Sequence, residues 1–111
     1  MAQELGLEII EGGEGLSREI DGGVYCCDLL SIVMGRAPAG GVWITVMANL
    51  NAVAVAVLCD LSCVVIAEGM AIDEATRQKA REQNVVLLFS EKPVYDTAAA
   101  IGRVIGYEAQ L

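Results

Sequence analysis

The apolar run NAVAVAVLCDLSCVVIAEG, at residues 51–69, restricts the fold more than any other stretch of this chain. A membrane-spanning helix needs about 20 apolar residues, and Asp60 interrupts the run near its middle. A single strand of this length would far exceed the roughly three to ten residues that are usual. The run therefore predicts two elements, a helix at about 51–60 and a buried strand at 63–67 that ends before Gly69.

The first half of this run is predicted to be a helix although its alternation of Ala and Val has the period of a strand. Asn49 and Asn51 can cap a helix, Ala is the best helix former, and VWITV just upstream already supplies a strand. Such a helix is apolar on nearly every side. We therefore expect it to be buried between the sheet and another element or subunit.

Strands and helices alternate along the rest of the chain. Strands are predicted at 5–12, 40–46 and 85–89, and helices at 26–37, at 72–84 with Asp73 as its cap, and at 94–108 after Pro93. This order predicts one α/β domain over residues 1–111, with three layers: a mostly parallel sheet and helices on both faces. The Gly-rich acidic stretch at 12–23 is expected to be irregular, and its GGEG at 12–15 is read as a turn, since it lacks the spacing of a phosphate-binding loop.

Charge and composition exclude several classes of partner. The 15 acidic and 7 basic residues give a net charge of -8, which repels nucleic acid and anionic membrane surfaces. The N-terminal sequence MAQELGLEII lacks the basic and apolar regions of a secretory signal, so we expect a cytoplasmic protein. At 111 residues and 55% apolar content, the chain can fill a single core.

The four cysteines, Cys26, Cys27, Cys59 and Cys63, show no C-x-x-C pair, and the chain has no histidine. Buried, reduced thiols with no metal and no cofactor are therefore predicted, with a metal site or a redox disulfide as the alternatives.

Candidate catalytic groups have simpler structural roles. The absence of histidine removes the commonest general base, and the hydroxyls of Ser31, Ser62, Ser90 and Thr45 have no base partner in the sequence. We expect Asp28 and Asp96 to lie in the first turns of helices, where a carboxylate meets the positive end of the dipole, and Asp60 to lie near a helix end. Trp43 is predicted to lie in the core and not in a ligand pocket. The chain is not expected to be an enzyme.

From about residue 28 to residue 104 the sequence resembles the DRTGG domain family, on the stretches CDLLSIVMGRAPAGGVWITV, NAVAVAVL and VVIAEGMAIDEATRQKAREQNVVLLFSEKPVYDTAAAI. The family occurs alone and attached to phosphotransacetylases, CBS-domain proteins and other regulatory proteins, and it looks like a regulatory or interaction domain that tends to dimerise. Where it has Asp-Arg, this chain has Asn49 and Leu50; where it has Thr-Gly-Gly, this chain has Ala67, Glu68 and Gly69. Loss of the arginine and gain of Glu68 argue against an anionic ligand.

Three functions remain open. The first is a non-catalytic regulatory or protein-interaction module that acts as a homodimer, with either the helix at 51–60 or the helix that begins CDLLSIV as its seam. The second is a sensor of a small nucleotide or acyl phosphate, and the third is a thiol-based redox or metal-binding protein. A sensor would bind at the loops 47–51, 68–71 and 90–92, because open α/β sheets bind ligands beyond the carboxyl ends of their strands. Its candidate ligand-binding residues are Asn49, Asn51, Glu68, Gly69 and Ser90.

Overall fold

The computed structural model describes residues 5, 7–11 and 19–108. Within them the chain forms strands and helices in the order β1 (Glu8–Glu11), β2 (Val24–Cys26), α1 (Leu30–Arg36), β3 (Val42–Thr45), α2 (Leu50–Leu58), β4 (Cys63–Ile66), α3 (Glu74–Glu82), β5 (Leu87–Phe89) and α4 (Val94–Ile105). In this part of the chain, no helix is both long and apolar enough to cross a membrane. The predicted division of the run 51–69 into a helix and a strand is confirmed.

The strands form one sheet in the order β1-β5-β4-β3-β2. β2, β3, β4 and β5 are parallel to one another, while β1 is antiparallel to β5. The pairing of β1 shifts register between Ile9 and Glu11. Beyond this shift Glu11 accepts two hydrogen bonds from Arg81 of α3, Nε to Oε1 at 3.1 Å and Nη2 to Oε2 at 2.9 Å, which attach the edge strand to a helix.

Side chains of each strand alternate between two separate cores, because successive residues of a strand point to opposite faces. Trp43, Val64 and Leu87 lie on one face and pack with residues of α1, α2 and α3. On the other face are Val42, Ile44, Cys63, Val65 and Leu88, which pack with Ile101 of α4. The sheet is therefore buried on both sides between two layers of helix, as the sequence predicts.

Local capping explains where the helices begin and end. The Asn49 side chain caps α2 and the Asp73 side chain caps α3, each by accepting hydrogen bonds from backbone N–H groups in the first turn. α4 begins just after Pro93 and ends at Gly106, whose φ of 75° is in the left-handed region that glycine adopts without strain. These three starts agree with the predicted helices to within two residues.

One predicted element is wrong. Residues 26–37 do not form a single helix: Cys26 ends β2, a strand that the sequence analysis missed, and α1 begins only at Leu30. β2 is three residues long, too short for its alternation to be recognised, and tertiary pairing with β3 decides its conformation. The GGEG turn predicted at 12–15 lies outside the described residues.

Candidate functional site

The candidate site is the edge of the sheet at which the four parallel strands end. The loops that follow β3, β4 and β5 meet there, as expected, and the loop 27–29 after β2 joins them. Four carboxylates lie in these loops, Asp28, Glu68, Asp73 and Glu91, against one lysine, Lys92. The edge as a whole is therefore acidic.

Asn49 is occupied in capping α2. Its Oδ1 accepts hydrogen bonds from the backbone N–H groups of Asn51 at 3.0 Å and Ala52 at 3.3 Å. Asn51 contributes that N–H and is itself exposed. Both predicted binding residues thus lie at the edge of the sheet, but the acceptor oxygen of the Asn49 side chain is already used to cap α2.

Asp28 joins two loops and does not cap a helix, which corrects the role expected for it. Its Oδ1 accepts hydrogen bonds from Thr45 Oγ1 at 2.7 Å and from the Val46 N–H at 3.0 Å. Thr45 is fully buried, and its hydroxyl also accepts a hydrogen bond from the Met47 N–H at 3.1 Å. The N-cap of α1 is Leu29, which provides no side-chain cap, and the helix begins at Leu30. The network fixes the carboxyl ends of β2 and β3 together.

Glu68 and Gly69 form a tight turn in which both residues have positive φ, 63° and 65°. The Met70 N–H closes this turn on the Ala67 carbonyl at 3.4 Å. Consecutive positive φ values of this kind favour glycine at both positions. Glu68 instead uses its side chain: Oε2 accepts a hydrogen bond of 2.7 Å from the N–H of Val94, the first residue of α4.

Ser90 is buried and its hydroxyl is already bonded. Its Oγ lies 2.8 Å from Thr97 Oγ1 of α4 and accepts a hydrogen bond from the Lys92 N–H at 3.2 Å. The hydroxyl therefore fastens the β5–α4 loop to the helix. Of the predicted binding residues, Asn49, Glu68 and Ser90 all use their side chains in hydrogen bonds within the fold, whereas the side chain of Asn51 is exposed.

A cavity of about 240 Å³ lies beyond the carboxyl end of β5. The apolar residues Leu5, Leu7 and Phe89 line it together with Glu8, Ser90, Glu91 and Lys92. Sequence reasoning placed Ser90 and its loop at this edge but missed the contribution of β1. The reason is that β1 joins the sheet from the distant N-terminal part of the chain.

The cysteines are free, but only Cys63 is buried; Cys27 and Cys59 are half-buried and Cys26 is exposed, which corrects the expectation of four buried thiols. Burial raises the pKa of Cys63 to about 12 and also raises the pKa of Cys59. Desolvation, and then the Asp28 carboxylate, raise the pKa of Cys26. These shifts oppose formation of a reactive thiolate. Within the described ranges, no cluster of three or more Cys, Asp or Glu side chains could hold a metal ion.

The aspartates do not assemble into a catalytic set. Asp60 lies at the opposite edge of the sheet, beyond the end of α2, where its carbonyl accepts a hydrogen bond from the Gly40 N–H at 2.8 Å. Asp96 lies in the first turn of α4, as predicted. Trp43 is completely buried, as predicted, and its indole N–H donates to the Cys27 carbonyl at 2.8 Å.

No protein-family model and no curated protein sequence matches this chain. In structure the chain is similar to the CBS and DRTGG domains of the regulatory region of Clostridium perfringens pyrophosphatase, in a crystal structure complexed with the activator diadenosine tetraphosphate. The TM-score is 0.73 at 14% sequence identity, over 89% of this chain and 42% of that chain. At this identity the likeness shows the fold, and it confirms the DRTGG-like fold that the sequence predicts. This chain spans less than half the length of that regulatory region.

Proposed function

We propose that this chain is a regulatory module without chemistry of its own, and that it acts as a homodimer. Two observations support a non-catalytic role. The carboxylates of Asp28 and Glu68 and the hydroxyl of Ser90 hold loops and a helix end in place, and the similar fold occurs in the regulatory region of an enzyme. A module of this kind acts through binding, so its interaction surface defines its function.

The proposal of a homodimer rests on the outer face of α2. Ala52, Val53, Val55 and Ala56 pack on the sheet and are buried. Leu50, Ala54, Val57 and Leu58, which we call the α2 outer face, recur at the spacing of one side of a helix and are exposed, Leu58 by 73%. Monomeric proteins rarely leave a contiguous apolar face of this kind in water.

A second copy of this chain is the occupant that the charge pattern favours. Residues 47–59 contain no charged side chain, although the chain as a whole carries -8. Two copies that meet along the α2 outer face therefore avoid the like-charge repulsion that most other pairings would create. Two-fold symmetry lets the same face meet itself, and Ala54 near its middle allows the two helices to approach closely. Ile32 and Met34 of α1, the helix that packs beside α2, are also exposed.

Sedimentation equilibrium tests the homodimer. We expect a mass of twice 11.7 kDa at micromolar concentration, and a monomer after Val57→Glu or Leu58→Glu with an unchanged circular dichroism spectrum. Val104→Glu is the matched control, because Val104 is exposed to a similar extent but lies on α4, on the other side of the sheet. Val55 is unsuitable for this test, since it faces the core. A wild-type protein that stays monomeric at 100 μM, about the weakest affinity of interest here, would contradict the proposal.

A small-ligand sensor is the second candidate function. It is supported by the similar crystal structure, which holds diadenosine tetraphosphate. The local chemistry of this chain opposes a phosphate ligand at the loops after β3 and β4, because Glu68 already places a carboxylate at the start of α4 and Leu50 supplies no charge. A thermal-shift titration with diadenosine tetraphosphate distinguishes the two: we expect no shift at 1 mM ligand, a concentration that would reveal a Kd of about that value or tighter.

A further inference from the structure

The cavity beyond β5 is a concave surface at the candidate site that the hydrogen bonds described above do not fill. Its volume of about 240 Å³ is below the roughly 300–1,000 Å³ of sites that hold drug-sized ligands. A small metabolite therefore fits.

The floor of this cavity is held in place by hydrogen bonds that do not involve the exposed side chains. The Lys92 carbonyl accepts from the Glu68 N–H at 2.8 Å, and the Ser90 carbonyl accepts from the Gly69 N–H at 3.0 Å. The Ser90 N–H donates to the Ile66 carbonyl at 2.8 Å. A ligand would thus meet a preorganised backbone and would have little to order when it binds.

The side chains of the wall have both signs of charge around an apolar surface. Glu8 and Phe89 are direct cross-strand partners, so their side chains lie side by side on one face of the β1–β5 pair. Glu91 and Lys92 add a second carboxylate and one ammonium group, and the partly buried Leu5 and Leu7, which pack against the core on the α4 side, add aliphatic surface. Two carboxylates against one lysine disfavour a phosphate, but they match a ligand that carries an ammonium and a carboxylate on an apolar body.

We propose that this cavity binds a free α-amino acid with an apolar side chain. The ammonium group of the ligand pairs with Glu8 and Glu91, its carboxylate pairs with Lys92, and its side chain packs against Leu5, Leu7 and Phe89. This inference rests on the proposal that the chain is a regulatory module, and it names the chemical class of the signal. It does not depend on the α2 outer face, which is a separate surface.

Isothermal titration calorimetry with L-phenylalanine and L-leucine tests this site. For ligands of this size we expect a Kd on the order of 0.1–1 mM. Phenethylamine lacks the carboxylate and 3-phenylpropionate lacks the ammonium, so each should bind about ten-fold more weakly than L-phenylalanine. In an NMR titration, the shifted amide signals should cluster at Leu5, Leu7, Glu8 and residues 89–92.

Substitutions at the cavity test which side chain binds the carboxylate of the ligand and which binds its ammonium group. Lys92→Met should weaken L-phenylalanine binding about ten-fold and leave phenethylamine binding unchanged or stronger. Lys79→Met, which removes a lysine from α3, is the matched control and should bind like the wild type. If Lys92→Met does not fold, Glu8→Gln gives the complementary test, since it should weaken phenethylamine and L-phenylalanine but not 3-phenylpropionate.

Three results would overturn the proposal: no heat and no shifted signals at 10 mM amino acid, an analogue lacking one charge that binds as tightly as L-phenylalanine, or wild-type affinity in the Lys92 and Glu8 variants. Sedimentation on the same samples separates this failure from a failure of the proposed function. A dimer that binds no amino acid would refute only the ligand, whereas a monomer that binds one would refute only the dimer.

Discussion

Substitutions at Glu68 should be the most informative about stability, because backbone strain and a helix cap have opposite effects on the free energy of unfolding at this residue. Its backbone φ of 63° is in a region that costs a non-glycine residue about 1–2 kcal/mol. Its carboxylate accepts the Val94 N–H at 2.7 Å, and such a cap, with the helix dipole, contributes about 1–2 kcal/mol for an exposed group. The two terms are similar in size, so the cap offsets the backbone strain.

Substitutions at Glu68 separate these terms. Glu68→Ala removes the cap and keeps the strain, so we expect the free energy of unfolding to fall by about 1–2 kcal/mol. Glu68→Gly removes both, and its free energy of unfolding should stay within about 0.5 kcal/mol of the wild type. Glu68→Gln keeps an acceptor oxygen but loses the charge, and should fall between the wild type and Glu68→Ala.

Urea unfolding monitored by Trp43 fluorescence measures these differences, because Trp43 is fully buried in the native protein. Protein concentration must be held constant, since a dimer makes apparent stability depend on it. Glu91→Ala is the control: it removes the same charge from the neighbouring loop and leaves the α4 cap in place. Equal destabilisation by Glu68→Gly and Glu68→Ala would refute the strain argument. Wild-type stability in Glu68→Ala would refute the cap.

Three further predictions follow from local contacts. Asn49→Ala should lower the free energy of unfolding by about 1 kcal/mol in the same urea assay, because it removes the cap of α2, and Asn49→Asp should preserve it. Cys63, with a pKa of about 12, should resist iodoacetamide at pH 8 in the native protein and react in urea, as peptide mass spectrometry will show; native-state labelling would contradict its burial. Hydrogen bonds from Arg81 lower the pKa of Glu11 below its ordinary value of 4.5, so the stabilising contribution of Glu11 is present above pH 4.5 and is lost as the pH falls through the lowered pKa. Glu11→Gln should therefore lose less stability than the wild type on acidification from pH 5, and parallel stability profiles of the two proteins against pH would refute this.

Sequence reasoning succeeded where the controlling contact is local. Asp73 bonds the N–H of Thr76 three residues later, and Asn49 bonds the N–H groups of Asn51 and Ala52, so a cap pattern in the sequence is enough to predict both helix starts. Strands β3 and β4 were also predictable, because they are buried on both faces and therefore apolar throughout.

The candidate site was harder to predict because its contacts are distant in sequence. Glu68 and Val94 are 26 residues apart, and Asp28 and Thr45 are 17 apart, so no local pattern reveals either hydrogen bond. Asp28 resembled a helix-terminal carboxylate only because β2 was not recognised. Ser90 was correctly placed at the edge of the sheet, but its pairing with Thr97 became visible only with α4 in position.

The position of β1 has a consequence for the order in which the protein is made. β1 is synthesised well before its partner β5, which consists of residues 87–89. β1 therefore cannot pair until most of the domain has left the ribosome. During that interval it is an unpaired strand, and unpaired strands associate with other chains. Glu8 and Glu11 place a charge near each end of this four-residue strand, which discourages such association until β5 and Arg81 become available. Neutral replacements of Glu8 and Glu11 should therefore increase aggregation during synthesis, including under conditions in which the folded protein remains stable.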